Sequence, residues 1–257
     1  MSRPPEPPGN VAEIVRAAAR RLSAAGCDTG RLDAEVLLAH VLGVTRVGLH
    51  LRWREPLDPA AAGAFAGLVE RRAAHEPVAY LIGERAFYDV DLRVNRHVLI
   101  PRPETEHLVE EALAWAAAAG HDGRSLRLAD VGTGSGALAV VLARRLPRVH
   151  VWAVDLSPAA LAVAADNVAR YDLAGRVLPL CGDLLAPLAG PLDLIVANLP
   201  YVRRDEVPML MPDVAAHEPW LALDGGADGL DLIRRLLPQA AERLAQPGLL
   251  LLEIDPR

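Results

Sequence analysis

The stretch Asp130-Val131-Gly132-Thr133-Gly134-Ser135-Gly136 joins a short apolar run to a helical one, and its residue types suit ligand binding. Glycines let a backbone approach a ligand closely, and a helix N-terminus offers N–H groups that have no partner inside the helix. The spacing is G-x-G-x-G and not the G-x-G-x-x-G of dinucleotide sites, which favours a ligand lying flat across the loop over a bound pyrophosphate. Asp155 ends the next apolar run, 19 residues after Gly136, in the position from which a carboxylate accepts hydrogen bonds from two ribose hydroxyls. Asp183 lies just past the third run, placed to take an amino group on an adenine ring. Together these residues point to a nucleoside. Plainer roles fit as well: Asp155 as a helix cap beside Ser157-Pro158, and Asp183 as a turn residue beside Gly182.

The fourth apolar run, Leu192 to Val196, leads directly into Ala197-Asn198-Leu199-Pro200-Tyr201. Asn198 to Tyr201 resembles the N-P-P-Y signature of methyltransferases acting on planar amide or amino nitrogens, and the glycine turn resembles their S-adenosylmethionine motif. Such a nitrogen has a delocalised lone pair and attacks a methyl group poorly. An Asn oxygen and a backbone carbonyl accepting its two N–H hydrogens would orient it and support the charge that develops on it. Tyr201 can stack on the planar group. A sulfonium already makes its methyl a good electrophile, so alignment is the main task and no strong general base is required.

Other segments narrow the resemblance. Glu76 to Gly83, Val98 to Glu106, Glu218-Pro219 with Ala222-Leu223 and Gly225-Gly226, and residues 33 to 43 (DAEVLLAHVLG) are similar to the release-factor glutamine N5-methyltransferases. The likeness runs from Val11 to Ile254. It implies an α/β fold: a Rossmann-like class I methyltransferase sheet preceded by a small all-helical domain, with a β-hairpin connecting them. It implies methyl transfer from S-adenosylmethionine to the glutamine side chain in the Gly-Gly-Gln tip of a peptide-chain release factor. By the same resemblance Gly132, Thr133, Gly134, Ser135, Gly136, Asp155, Asp183, Leu184 and Asn198 hold the cofactor. Asn198, Leu199, Pro200 and Tyr201 hold the substrate amide, with Asn198, Pro200 and Tyr201 catalytic, and Ile100 to Glu104 borders the pocket. Leu199 stands where the usual signature has its first proline, and N-L-P-Y also resembles the motif of RNA adenine dimethyltransferases. An adenine N6-methyltransferase of RNA or DNA, and a nucleoside-binding module without catalysis, therefore remain open at this point.

The elements that must position these residues are readable from periodicity. Val11, Ile14, Val15, Ala18 and Leu22, then Leu32, Val36, Leu37, His40 and Val41, then Phe65, Leu68 and Val69 fall at helical spacing. Asn10 and Asp58 sit where N-caps belong, and Gly26 and Gly43 where helices stop. The spacing predicts a proline-rich disordered tail over 1–9 and a helical domain over 10–83, which by the resemblance is the substrate-docking domain, with His40 in the core or at an interface. A hairpin linker follows over 84–100, turning at Asn95-Arg96, and then an α/β domain over 101–257, which by the resemblance is the methyltransferase domain. Within that domain a helix is expected over 104–119. Strands at Leu126 to Val131, Val149 to Val154, Val177 to Cys181, Leu192 to Ala197 and Leu249 to Ile254 alternate with helices over 138–146, 157–170 and 230–244. This is the pattern of a parallel sheet covered on both faces. The resembled fold has seven strands, so the final hairpin is expected to be missing, through truncation or replacement by a partner.

Composition sets outer bounds. The 257 residues are 52% hydrophobic and 23% charged, which excludes extended disorder. No apolar run reaches the length of a membrane span and the start is proline-rich, so a cytoplasmic protein is expected, with no membrane association. The net charge is −6, carried by the second part of the chain: residues 1–96 are net +1 and residues 97–257 net −7. That argues against wrapping nucleic acid, and a monomer is expected. All 27 basic residues are Arg, and the doublets Arg71-Arg72, Arg144-Arg145 and Arg234-Arg235 read as solvated faces. Arg203-Arg204, after the tetrapeptide, is the doublet placed to meet an acidic or phosphate group. Cys27 and Cys181 lack partner spacing and read as buried or half-buried thiols, and the eight histidines show no ligand spacing, so no metal is expected. Asp224 to Gly229 reads as a loop beside the substrate, its carboxylates too few for calcium.

Overall fold

The computed structural model describes residues 9–118 and 125–254; the tail expected over 1–9 falls outside them except for Gly9. The chain forms two compact units, Met1–Ile82 with Pro212–His217, and Gly83–Met211 with Glu218–Arg257.

The first unit is helical: α1 (Val11–Ala24), α2 (Gly30–Val41), α3 (Arg46–Leu51), α4 (Pro59–Ala73) and α5 (Val78–Ile82). Asn10 begins α1 with a reciprocal capping box, its side chain accepting from Glu13 N while the Glu13 carboxylate accepts from Asn10 N. Asp58 caps α4 through Ala60 N and Ala61 N. Gly26 and Gly43 end their helices at φ 87° and 62°, backbone positions that L side chains resist. Val11, Val15 and Leu22 of α1 meet Leu37 and Leu38 of α2 and Phe65 and Val69 of α4 in one core.

Two side chains run against the expected pattern there. Arg72, expected on a solvated face, is buried: its Nε donates to Asp33 at 2.7 Å and its Nη1 pairs with Asp213 at 2.8 Å. A charge can be buried only where such partners offset its lost hydration. Those partners come from distant parts of the sequence, out of reach of local periodicity. His40, expected in the core or at an interface, is exposed at the end of α2 and so lies outside the core, because the buried face is carried by Ala34, Leu37 and Leu38.

The second unit opens with a hairpin, β1 (Glu84–Phe87) and β2 (Val90–Arg93), pairing Phe87 with Val90. Its turn is Tyr88-Asp89, not Asn95-Arg96: Tyr88 takes a left-handed φ of 56°, which composition does not announce. Asn95 instead starts a later turn, accepting from His97 N. After the 3-10 turn Pro103–Thr105 comes α6 (Glu106–Ala118). Five parallel strands follow: β3 (Leu126–Val131), β4 (Val149–Asp155), β5 (Val177–Cys181), β6 (Leu192–Ala197) and β7 (Leu244–Leu252), in the order β5-β4-β3-β6-β7. α7 (Ala137–Arg145) links β3 to β4, and α8 (Pro158–Arg170) links β4 to β5.

β6 is buried at all six positions, as a central parallel strand must be. β7 begins five residues before the expected start at Leu249. Leu244 pairs with Leu192 and Leu249 with Leu194, and the residues between, including Pro247-Gly248, form an irregularity that the partner strand skips. Cys27 is buried, but Cys181, at the end of edge strand β5, is exposed where a partly covered thiol was expected.

Candidate active site

Strand register places the candidate residues together. Val131, the last residue of β3, lies beside Val154 on one side and Ala197 on the other. The glycine turn, Asp155 and Asn198 therefore emerge at the same edge of the sheet, where the strand order reverses about β3 and a crevice opens. A cavity of about 260 Å³ occupies this crevice. Its lining includes Gly132, Thr133, Gly134, Ser135, Asp155, Asp183, Leu184, Asn198, Leu199 and Pro200. Gly136 and Tyr201 do not line it.

Gly132 and Gly134 adopt φ 74° and 55°, and the N–H groups of Gly132 and Thr133 both donate to Val154 O, closing the turn onto β4. Gly136, at φ 80°, stands at the head of α7. A Cβ there would come 3.3 Å from the Cβ of Ala164, so this glycine serves the close approach of α8. Asn167, fully buried on α8, secures the turn from below. Its Nδ2 donates to Ser135 O at 2.8 Å and to Arg93 O at 2.9 Å, while its Oδ1 accepts from Arg93 N.

Both Asp155 oxygens accept backbone bonds, from Gly134 N and from Ser157 N at 2.9 Å each. The plainer expectation of a helix cap is not met, since Ser157 caps α8, but the two bonds fix the Asp155 carboxylate at the cavity wall with lone pairs to spare. Asp183 also reaches the cavity but is paired with Arg235, a cavity residue from the helix Asp231–Arg243. An amino group arriving there would share the carboxylate with a guanidinium. Asp130 is the most deeply buried acid of the site, 1% exposed, with Oδ2 accepting from Thr133 Oγ1 at 2.6 Å and from Ala139 N at 3.1 Å. Burial pushes its pKa up to about 6, aided by nearby Asp155 and opposed by those two hydrogen bonds.

Asn198 Nδ2 donates to Thr105 Oγ1 at 2.9 Å. Thr105, like Pro101 and Arg102, lines the cavity, whereas Ile100 and Glu104 of the expected bordering segment do not. Arg102 Nη2 donates to Glu218 at 2.6 Å, and the same buried carboxylate accepts from Ile100 N. Leu199 is buried and packs against the glycine turn, since a Cβ on Gly132 would lie 3.1 Å from its Cδ2. Tyr201 Oη reaches toward Glu253 Oε1 at 3.5 Å.

The loop over 224–229, expected beside the substrate, clasps the tetrapeptide's backbone. Gly225 N donates to Val202 O, and a Cβ on Gly225 would fall 2.7 Å from Pro200 O and 2.8 Å from Tyr201 Cα. Arg203 and Arg204 are engaged by nearby acids, Asp205 and Asp224. Periodicity signalled none of Thr105, Asn167, Arg235 or the Arg102–Glu218 pair, because each acts through a tertiary contact. Asp130 alone carried a local signal, standing two residues before the first glycine.

The donor set fits a cationic nucleoside cofactor. A glycine backbone that a ligand can approach closely and a fixed carboxylate suit a ribose, Leu156 and Leu184 supply apolar wall, and the buried Asp130 is an anion suited to a positively charged group. A parallel sheet of this order with these residues at its crevice defines a class I S-adenosylmethionine-dependent methyltransferase. Residues 13–83 match the PrmC N-terminal domain and residues 114–216 the methyltransferase small domain. The chain is 50% identical over 238 residues to the release factor glutamine methyltransferase of Moorella thermoacetica, covering 92% of this chain and 82% of that protein. It is 44% identical over 244 residues to that of Cereibacter sphaeroides, covering 95% and 85%. The chain belongs to the release factor glutamine methyltransferase family. Among solved structures it is similar to a ribosomal protein L11 methylase from Lactobacillus delbrueckii subsp. bulgaricus, at 24% identity and a TM-score of 0.43 over 64% of this chain and 67% of that one.

Proposed function

We propose that this chain methylates the side-chain amide nitrogen of the glutamine in the Gly-Gly-Gln tip of a peptide-chain release factor. The observation that carries the reading is the placement of Asn198 at the end of β6, in one cavity with the glycine turn and Asp155, its amino group occupied by Thr105. The substrate named in the curated relatives, which span nearly the whole of this chain, supports it.

When bound, S-adenosylmethionine supplies a methyl group already activated by its sulfonium. The protein's part is alignment. The Asn198 carbonyl oxygen and a main-chain carbonyl of the tetrapeptide accept the two N–H hydrogens of the substrate amide, orienting its nitrogen and stabilising the charge it gains. Pro200 walls the cavity beside them. Leu199 gives up the stiffness of a second proline but retains the main-chain carbonyl, the only part of that position this role needs. Tyr201 supports the tetrapeptide from outside the cavity. We assign docking of the release factor to the helical unit, and cofactor contacts to Gly132 to Ser135, Asp155, Asp183 and Leu184, with Gly136 holding the turn.

Incubation with methyl-labelled S-adenosylmethionine and a release factor should label its Gly-Gly-Gln glutamine, while ribosomal RNA stays unlabelled. Label in RNA alone would reassign the chain to adenine methylation, which N-L-P-Y by itself allows. The described residues contain no helix long and apolar enough to cross a membrane.

A further inference from the structure

The Asn198 amide is two-ended, and only one end can serve a substrate that presents N–H donors. Its backbone is fixed where Ala197 pairs with Val131 of β3 and Leu252 of β7. That leaves the terminal torsion free. Turning the amide by half a revolution exchanges carbonyl for amino group at little steric cost, because the two are nearly the same size. With the amino end toward the cavity, two donors would oppose each other and the substrate nitrogen would be pushed away. Something must select the orientation.

We propose that Thr105 is the positioning residue that makes this selection, holding the Asn198 amino group so that the carbonyl oxygen faces the reacting nitrogen; the inference rests on the function proposed above. Asn198 Nδ2 lies 2.9 Å from Thr105 Oγ1, and Thr105 is 5% exposed, so water competes little for the bond. The hydroxyl itself is well anchored. It sits in the turn Pro103–Thr105, closed by Thr105 N donating to Arg102 O at 3.1 Å. That turn is held in turn by Glu218, whose side chain is 1% exposed and accepts from both Arg102 Nη2 and Ile100 N. A chain of contacts thus runs from a buried carboxylate through the turn to one hydroxyl and then to the amide. A hydroxyl can donate as well as accept; in the structure Thr105 Oγ1 is the acceptor and Asn198 Nδ2 the donor, the orientation that leaves the Asn198 carbonyl for the substrate.

Valine replaces the hydroxyl with a methyl of similar size, and serine retains the hydroxyl. In Thr105→Val, kcat for methyl transfer to the release factor should fall about tenfold, with cofactor affinity within about twofold of wild type. Thr105→Ser should recover activity to within about threefold, and Thr105→Val should cost nothing further on an Asn198→Ala background. A second readout needs no turnover. In the 15N–1H spectrum of the wild type, one Nδ2 proton of Asn198 should be shifted downfield and slow to exchange, and both properties should vanish in Thr105→Val. If the valine variant does not fold, the wild-type and serine spectra decide the matter alone. An Asn198 amide whose protons exchange freely in the wild type overturns the proposal, as does a valine variant with unchanged kcat or with an equal loss on the Asn198→Ala background. A wild type that labels no release factor defeats the functional reading instead, and the amide resonance then still decides the role of Thr105.

Discussion

Replacing Asp130 by Asn should stabilise the fold while weakening the site. The Asp130 carboxyl is 1% exposed, and burial raises its pKa from 3.8 to about 6. The folded protein therefore binds this proton more tightly than the unfolded chain does. The group adds stability in full below its unfolded value near 4, and that contribution is lost as pH climbs through 6. A shift of about two units corresponds to about 3 kcal/mol, so ionised Asp130 is a net cost to the folded state at neutral pH. Asn keeps the shape and can accept from Thr133 Oγ1 and Ala139 N as Asp130 Oδ2 does, but its amino group needs a new partner. That need subtracts about 1–3 kcal/mol from the gain at every pH. The pH dependence of the difference between the two proteins is free of this offset. Between pH 7.5 and 4.5 the difference should move by about 2 kcal/mol in favour of the wild type as Asp130 takes up its proton. Urea unfolding of both proteins at the two pH values measures it. A difference that stays constant with pH would refute the argument that burial controls this carboxyl. Calorimetric titration at pH 7.5 should show the cofactor bound about tenfold more weakly by Asp130→Asn, because a buried anion is worth most beside a cationic ligand.

Three further outcomes are expected. Asn198→Ala should lower kcat at least about a hundredfold and leave cofactor affinity within a few fold, as for a group that acts mainly on developing charge; steady-state kinetics with calorimetry separates the two effects. Gly225→Ala would drive a methyl group to 2.7 Å from Pro200 O, so it should displace the tetrapeptide and cost about 1–3 kcal/mol of stability, seen as a lower urea midpoint and a reduced kcat. Glu218→Ala leaves the Ile100 N–H without its partner, whereas the half-exposed Arg102 can regain water, so unfolding free energy should fall by about 2 kcal/mol, below the usual loss for a fully buried pair.

The strands were legible because a buried parallel strand leaves a mostly apolar run, and Leu192 to Ala197, interrupted only by Asp193, is one: all six residues are buried, and its end fixes where Asn198 emerges. The glycine turn was legible because its function demands a backbone that only glycine adopts easily. The left-handed φ values at 132, 134 and 136 agree with that reason. What the sequence hid lies where a residue's partner is far along the chain. Nothing near Tyr88 announces that it will turn the hairpin, and nothing beside Arg72 shows that Asp33 and Asp213 will bury it.

The same limit explains why the tetrapeptide was found but its support was not. Asn198 to Tyr201 is contiguous, so its chemistry can be read from four letters. The groups that hold it come from three other segments: Thr105 at one end of the Asn198 amide, Gly225 against the Pro200 and Tyr201 backbone, and Gly132 making room for Leu199. Each of these contacts is short and specific, and each leaves a residue type that also has an ordinary explanation in its own neighbourhood. Thr105 begins a helix, and Gly225 stands in a glycine-rich loop. The substitution of Leu199 for proline follows the same logic. A rigid second proline would stiffen the tetrapeptide from within, whereas here the stiffness is supplied from outside by the 224–229 loop and by side-chain packing on Gly132. A tetrapeptide braced in this way should tolerate Leu199→Pro with little change in kcat, yet lose activity when Gly225 is altered. The reverse ranking would mean that rigidity resides in the tetrapeptide itself.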